Sequence, residues 1–272
     1  MRRILAVVRS VFVTAIFLSV VAANAETTNG LSTAELEGRA LARKILEQRP
    51  AENLATTGVL KIRDDSGNSS EVPIVCRMVV TISVANTNLI VPDWQTFYVA
   101  TLTNRTEYFR VIHTAGLTNI YSFSTNASDA VPMVGDMPLI GHLFGSHQVS
   151  GPALMLPFAG SDFWLCDLGL EFFHWPEQKV LKKEFHRQCA CIVLESTNPH
   201  PTANGYSRVV SWIDEDSLGI VEAYAYDVNG KKLKNFYPKD FQKVNGQYQV
   251  QSLIMDNLQT DSRSRLEFDL KQ

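Results

Sequence analysis

The sequence predicts a mainly β protein of α+β type. Its core is a strongly curved antiparallel sheet forming an incomplete β-barrel, with an N-terminal helix and a short helical or loop lid. Three observations carry this. The C-terminal third is a run of short alternating segments separated by turn residues, with Asn-Gly at 229–230 and again at 245–246, the strongest short hairpin signal. One amphipathic helical pattern stands near the N-terminus. Between the two groups of strands lies an apolar stretch rich in proline and glycine that follows no strand period.

The elements follow in order. Arg2 and Arg3 precede an apolar run from Ile4 to Ala23, and Ala23-Asn24-Ala25 has the small-x-small form of a cleavage site, so residues 1–25 read as a secretory signal peptide. Residues 26–272 are then expected to form one domain in an exported, periplasmic chain. Ser32 and Glu35 have capping-box spacing. Leu36, Ala40, Leu41, Ile45 and Leu46 give the apolar stripe of a helix that ends before Pro50. Strands are expected at 58–63, 71–82, 94–101, 106–113 and 119–124, in long hairpins. Residues 126–160 break this pattern yet are apolar, and Leu139, Ile140, Leu143 and Phe144 have helical spacing. Strands resume at 179–184, 188–195, 206–213, 220–227, 231–237, 247–255 and 264–270. In the last of these, Leu266, Phe268 and Leu270 alternate with Arg265, Glu267 and Asp269, as in a sheet wetted on one face.

Charge and motifs exclude several classes. The chain has 25 Lys+Arg against 28 Asp+Glu; the leader holds Arg2, Arg3 and Arg9 and no acid, so the remainder carries a net charge of −6. That argues against a nucleic-acid partner. No G-x-S-x-G, H-E-x-x-H, P-loop or G-x-G-x-x-G occurs, and no catalytic group, cofactor or metal is expected. His186, Cys189 and Cys191 match no usual zinc spacing. The four cysteines, Cys76, Cys166, Cys189 and Cys191, allow up to two disulfides in an oxidising compartment. Cys189 and Cys191, two apart in a strand, are poorly placed to bond each other.

The segment GSDFWLCDLGLEFFHWP at 160–176 concentrates aromatic, acidic and thiol groups. Asp162 suits a helix N-cap, so Ser161–Leu168 is expected to be a short capped helix. Leu170–Trp175 is expected to be a strand whose alternate side chains line a cavity. The whole stretch reads as the hinge between the apolar flap and the C-terminal sheet. An apolar cavity under a methionine-rich flap suits an acyl chain, each buried methylene contributing about 0.8 kcal/mol. The residues expected to line the cavity or lid are Leu60, Ile62, Met137, Leu139, Ile140, Leu143, Phe144, Met155, Phe158, Phe163, Trp164, Phe172, Trp175, Trp212 and Tyr224.

Residues 160–168 (GSDFWLCDL), 171–177 (EFFHWPE), 190–196 (ACIVLES), 206–214 (YSRVVSWID), 219–232 (GIVEAYAYDVNGKK) and the meander 247–270 resemble the outer-membrane lipoprotein-sorting proteins, a LolA-like family of periplasmic domains. The resemblance implies an unclosed barrel with a helical lid. It implies a monomeric, non-enzymatic carrier for the acyl chains of lipoproteins or lipids, with inner- and outer-membrane sorting components as partners. An alternative on the same fold is an envelope-stress sensor that binds a protein. The resemblance also implies an arginine that holds the closed state; Arg63, Arg77 and Arg110 are the candidates. Cys166 departs from the family pattern, which often has a polar residue there.

Overall fold

The computed structural model describes residues 30–50, 52–80, 94–114, 118–126, 133–134, 137–138, 147–244 and 247–270. The leader expected at 1–25 and the flap residues Leu139, Ile140, Leu143 and Phe144 lie outside them, as does the side chain of Met137.

Helix α1 spans Thr33–Leu46, and its N-cap is the one the sequence announces. The Ser32 backbone N–H donates to Glu35 Oε2 (2.7 Å) while the Glu35 N–H donates to Ser32 Oγ (3.3 Å), closing two free amides. Its buried side is Gly38, Leu41, Ala42 and Ile45. Gly38 is needed for close approach: a Cβ there would stand 2.5 Å from the Lys179 backbone nitrogen.

The strands are β1 (Leu54–Arg63), β2 (Ser69–Val80), β3 (Trp94–Thr101), β4 (Thr106–His113), β5 (Ile120–Asn126), the minor pair β6 (Met133–Val134) and β7 (Met137–Pro138), β8 (His147–Val149), β9 (Glu177–His186), β10 (Cys189–Thr197), β11 (Arg208–Asp214), β12 (Ile220–Tyr226), β13 (Lys232–Val244), β14 (Gln247–Asn257) and β15 (Arg263–Phe268). Thirteen of them form one open antiparallel sheet, in the order β8-β5-β4-β3-β2-β1-β15-β14-β13-β12-β11-β10-β9. The sheet therefore has two halves, β1–β5 with β8 and β9–β15, joined along the β1–β15 seam. Helix α1 packs on β9. Strand β13 runs on past Pro238, where the sequence suggests a stop. Register shifts between Pro238 and Phe241 absorb the residue that cannot donate.

One face of the sheet carries the core. Leu60, Val72, Ile74, Ala100, Phe109, Val111, Leu194, Val209, Ile213, Ala223, Ala225, Met255 and Leu266 lie on it, packed in one cluster with α1 and the segment 154–175. This is the expected one-sided sheet, curved over its own cover. All four cysteines are free; no disulfide forms among the described residues, because Cys76 and Cys166 are buried separately and Cys189 and Cys191 share one strand face.

Candidate ligand-binding site

The cover over the inner face is the stretch that the sequence singles out. It opens with a tight turn. The Phe158 N–H donates to the Phe163 carbonyl (2.8 Å), and the Ser161 N–H to the Phe158 carbonyl (3.0 Å). The two central residues, Ala159 and Gly160, have φ of 52° and 72°, the pattern of a type I′ turn. Alanine is strained there. Glu107, buried on β4, takes the Ala159 N–H at 2.7 Å and offsets that strain.

A four-residue helix, α2 (Leu165–Leu168), follows. Asp167 caps it, accepting the Trp164 N–H at 2.8 Å. Asp162, the expected cap, does other work: its carboxylate accepts the hydroxyls of Ser262 (2.6 Å) and Ser264 (2.8 Å). Leu170, at φ 50°, then turns the chain into a 3-10 turn over Glu171–His174. The expected strand over 170–175 is thus replaced by a helical turn. Its aromatics are needed on one side only: Phe172 and Phe173 are both buried, their rings 4.6 Å apart.

This cover is fastened as a plug. Besides the Asp162 and Glu107 bonds, Tyr121 on β5 donates to Glu171 (2.6 Å). Gln178 on β9 donates to the carbonyls of Phe172 and Trp175, each at 2.9 Å. Lys234, on β13 and 1% exposed, donates to the Asp162 carbonyl at 2.6 Å and stands 3.7 Å from Asp167 Oδ2. Its ammonium lies 3.4 Å from the Trp164 ring, a desolvated cation–π contact. Tyr206 donates to Asp167 at 3.0 Å. Burial pulls the Lys234 ammonium down to about 8 and pushes the Asp167 carboxyl up; the attraction between the two opposes both shifts. A stretch tied to both halves of the sheet is a plug and not the expected hinge.

The predicted lining residues separate accordingly. Leu60, Ile62, Met155, Phe158, Phe163, Trp164, Phe172 and Trp175 come together in the core or against it. Trp212 and Tyr224 do not. They sit on the outer face, since their chain neighbours Ser211 and Ala223, which pair with each other, occupy the inner one. Trp212 there donates to Glu184 (2.7 Å) and stacks on His186 at 5.0 Å. Of the three arginines, Arg63 reaches Asp261 on the surface, and Arg77 and Arg110 share an outer-face row with Phe97. Among the described residues, the buried cation inside is Lys234. The sequence offers one sign of it: Lys234 shares strand parity with Phe236. No histidine bonds Asp162 or Asp167 among the described residues; their partners are serines, a tyrosine, a lysine, the Cys166 thiol and backbone.

One small cavity lies beneath the plug. Lined by Asp167, Leu170, Phe172, Tyr206, Lys234, Phe236 and Met255, it leaves about 10 Å³ to the centre of a water molecule, room for about one. The other half of the inner face is different in kind. Cys76, Tyr98, Phe109 and Phe123 lie opposite one another in register across β2–β5. Phe158 packs on two of them, 6.2 Å from Tyr98 and 6.4 Å from Phe109.

Farther along the same face of β4, His113 stacks on Trp94 at 3.5 Å and lies 3.3 Å from Thr96 Oγ1. Burial, with repulsion from His174, lowers His113 to about 3; burial lowers His174 to about 4. The His174 Nε2 is buried without a hydrogen-bond partner. Both imidazoles fold neutral below their unfolded value of about 6.5, so their contribution is full above that pH and is lost as pH falls toward 4. We expect stability to drop by up to about 1.4 kcal/mol per pH unit per histidine over that window. The raised carboxyls of Glu171 and Asp167 oppose part of it. Thermal melts from pH 7 to 4.5 check this: the fall should flatten in a His113→Asn/His174→Asn protein, and an equal fall in both proteins would refute it.

Comparison with known proteins places the fold. Residues 146–271 match the model of a family described as "Uncharacterized protein". No curated protein matches the sequence. Among solved structures, a DUF1329 family protein from Desulfovibrio piger superposes with a TM-score of 0.63 at 15% identity, over 87% of this chain and 91% of that one. A Vibrio parahaemolyticus domain named for outer membrane lipoprotein sorting gives 0.62 at 17%, over 87% and 92%. A LolA superfamily protein from Nitrosomonas europaea gives 0.52 at 15%, over 88% and 93%. The fold is LolA-like, as the sequence resemblance implies.

Proposed function

We propose that this protein is an exported, non-enzymatic carrier that holds an acyl chain of a lipoprotein or lipid against the β2–β5 half of the inner face. The observation that carries the reading is the row Cys76–Tyr98–Phe109–Phe123, an apolar, aromatic floor on the inner face against which Phe158 of the plug packs. The sequence of 133–144, with Met133, Val134, Met137, Leu139, Ile140, Leu143 and Phe144, supplies apolar and adaptable partners for such a chain. A chain of about 14 methylenes would gain about 11 kcal/mol gross on burial, before the costs of association, so no reactive group is needed. The likeness to a domain named for lipoprotein sorting supports the same reading, as does the leader-like N-terminus.

Mass spectrometry of organic extracts of the purified protein, together with displacement of a fluorescent fatty acid, tests it. Phe123 is half-buried at the end of the row, and Phe123→Ser should weaken fatty-acid binding about tenfold or more, the value of one buried aromatic. Trp212→Ala, on the outer face, should leave it unchanged. Absence of both copurified lipid and displacement would sink the carrier reading. A stable protein partner recovered by crosslinking in that case would favour the sensor alternative.

A further inference from the structure

Register sorts the charges of β2–β5 by face. On the inner face the aromatic row Cys76–Tyr98–Phe109–Phe123 is followed by Met78 opposite Thr96, and then by Val80, Trp94 and His113. The acid of that face is Glu107. The arginines of these strands, Arg77 and Arg110, share the outer row with Phe97. Arg105, just before β4, lies 2.7 Å from Glu107 and is neutralised by it. The plug, residues 154–175, adds Glu171 and contains neither lysine nor arginine. The buried cation, Lys234, belongs to the other half and is taken up by the Asp162 carbonyl and the Asp167 carboxylate. Among the described residues, the inner side of β2–β5 therefore holds no cation to meet an incoming anion.

Exposure along this face is graded. Phe109, Val111 and Tyr121, beneath the plug, are buried, whereas Met78, Val80, Trp94 and His113 are half-buried. At that half-buried end hydrogen-bonding groups gather without charge. His113 lies against Trp94 and Thr96, and burial keeps both His113 and its neighbour His174 neutral. The His174 Nε2 has no partner, and no described group accepts the Trp94 indole N–H. Phe109 and His113 are four residues apart on β4, about 14 Å, so a chain lying against the aromatic row can bring its head to this end. A carboxylate or phosphate there would be stripped of water with no counter-charge. An ester or hydroxyl loses less water and regains hydrogen bonds.

We propose that the acyl chain held on this face carries an uncharged, hydrogen-bonding head of the glyceryl ester class, seated at Trp94, Thr96 and His113, and that lipids with an anionic head are held far less tightly. The inference rests on the carrier reading and adds the chemistry of the cargo: an acyl group already esterified, in preference to a free acid or a phospholipid. The Trp94 N–H is the donor for the ester carbonyl, and a neutral imidazole is the acceptor for a glyceryl hydroxyl.

Competition against one fluorescent fatty acid tests it, at about pH 8, with three competitors that share an oleoyl chain: monooleoylglycerol, oleate and oleoyl lysophosphatidate. We expect monooleoylglycerol to compete at least tenfold better than either anion. Any greasy interior would favour the neutral lipid to some degree, so two variants locate the effect. Val80→Lys places a cation in register with Trp94 and His113 and should shift the ratio toward oleate about tenfold or more; Val79→Lys, on the outer face, should leave it unchanged. Met78→Lys, one row along, serves if Val80→Lys does not fold. Trp94→Phe removes one donor and should weaken monooleoylglycerol about three- to tenfold while leaving oleate within about twofold. Oleate competing as well as monooleoylglycerol would overturn the inference and leave the carrier reading standing. So would a ratio that neither inner-face lysine moves, or a loss in Trp94→Phe that is equal for both lipids. If no competitor displaces the probe, the carrier reading falls and this inference falls with it.

Discussion

Replacing Asp167 with alanine should cost about 3–5 kcal/mol of stability at pH 7, the range for breaking a buried ion pair by removing one partner. The loss has three parts. The Trp164 N–H loses its cap, Tyr206 loses its acceptor, and the Lys234 ammonium is left buried without its ion-pair partner, held by the Asp162 carbonyl and the Trp164 and Tyr206 rings. The third part is the largest and depends on pH. Burial already holds Lys234 at about 8, and removing the carboxylate lowers it further. In the variant, lysine can therefore shed its proton and its penalty in mildly alkaline solution. Urea titrations at pH 7 and pH 9 should show a smaller cost at the higher pH. Lys234→Met is the informative counterpart. It leaves a carboxyl whose affinity for protons is already raised, so its cost should shrink on acidification instead. A deficit for Asp167→Ala that is the same at both pH values would mean that the cap and the tyrosine bond, and not the stranded charge, carry the effect.

Lys234 also shows where sequence reading stops. The capping box at Ser32–Glu35 and the bounds of β3 and β4 are local signals, and they stand where the sequence puts them. Facing is harder wherever both sides of a strand are apolar. In Arg208–Asp214 the inner face takes Val209, Ser211 and Ile213, and the outer takes Val210 and Trp212. A period of two cannot say which set faces in, and the larger aromatic suggests the wrong one. Serine fits inside because the plug fills the space above it. The plug has the same difficulty. Its 3-10 turn depends on Leu170 at positive φ, a choice imposed by packing against β5. Gly169 gives the scale of that packing: a Cβ there would meet the Tyr121 ring at 2.3 Å. Lysine in a hairpin reads as solvated, and only the fold reveals a partner 67 residues earlier in the chain.

Gly58→Val should be at least as damaging, about 3 kcal/mol or more, because it acts on the seam of the sheet and not on one side chain's surroundings. Strand β1 joins the two halves: it pairs with β2 on one side and β15 on the other, and Gly58 lies opposite Ile74 and Phe268. A Cβ at 58 would stand 2.0 Å from the Glu267 carbonyl oxygen and 3.1 Å from its carbon. The obstacle is backbone, so no rotamer relieves it, and β1 and β15 must part. Nearby bonds hold the same seam, the Asp269 N–H to the Thr57 carbonyl (2.8 Å) and Thr57 Oγ1 to Asp269 (2.9 Å), and they would be strained together. The plug still ties β4 and β5 to the rest through Glu107 and Tyr121, so the halves should loosen rather than separate. Hydrogen exchange can resolve this. Amides of β1, β2 and β15 should gain exchange strongly, those of β4 and β5 less, and those of β10–β12 least. Uniform loss of protection over all strands would show that the seam is not a boundary and that the sheet opens as one unit. The half with the graded response is the half that carries the proposed aromatic row on its inner face. If the carrier reading holds, Gly58→Val should therefore weaken fatty-acid binding more than its loss of global stability alone accounts for.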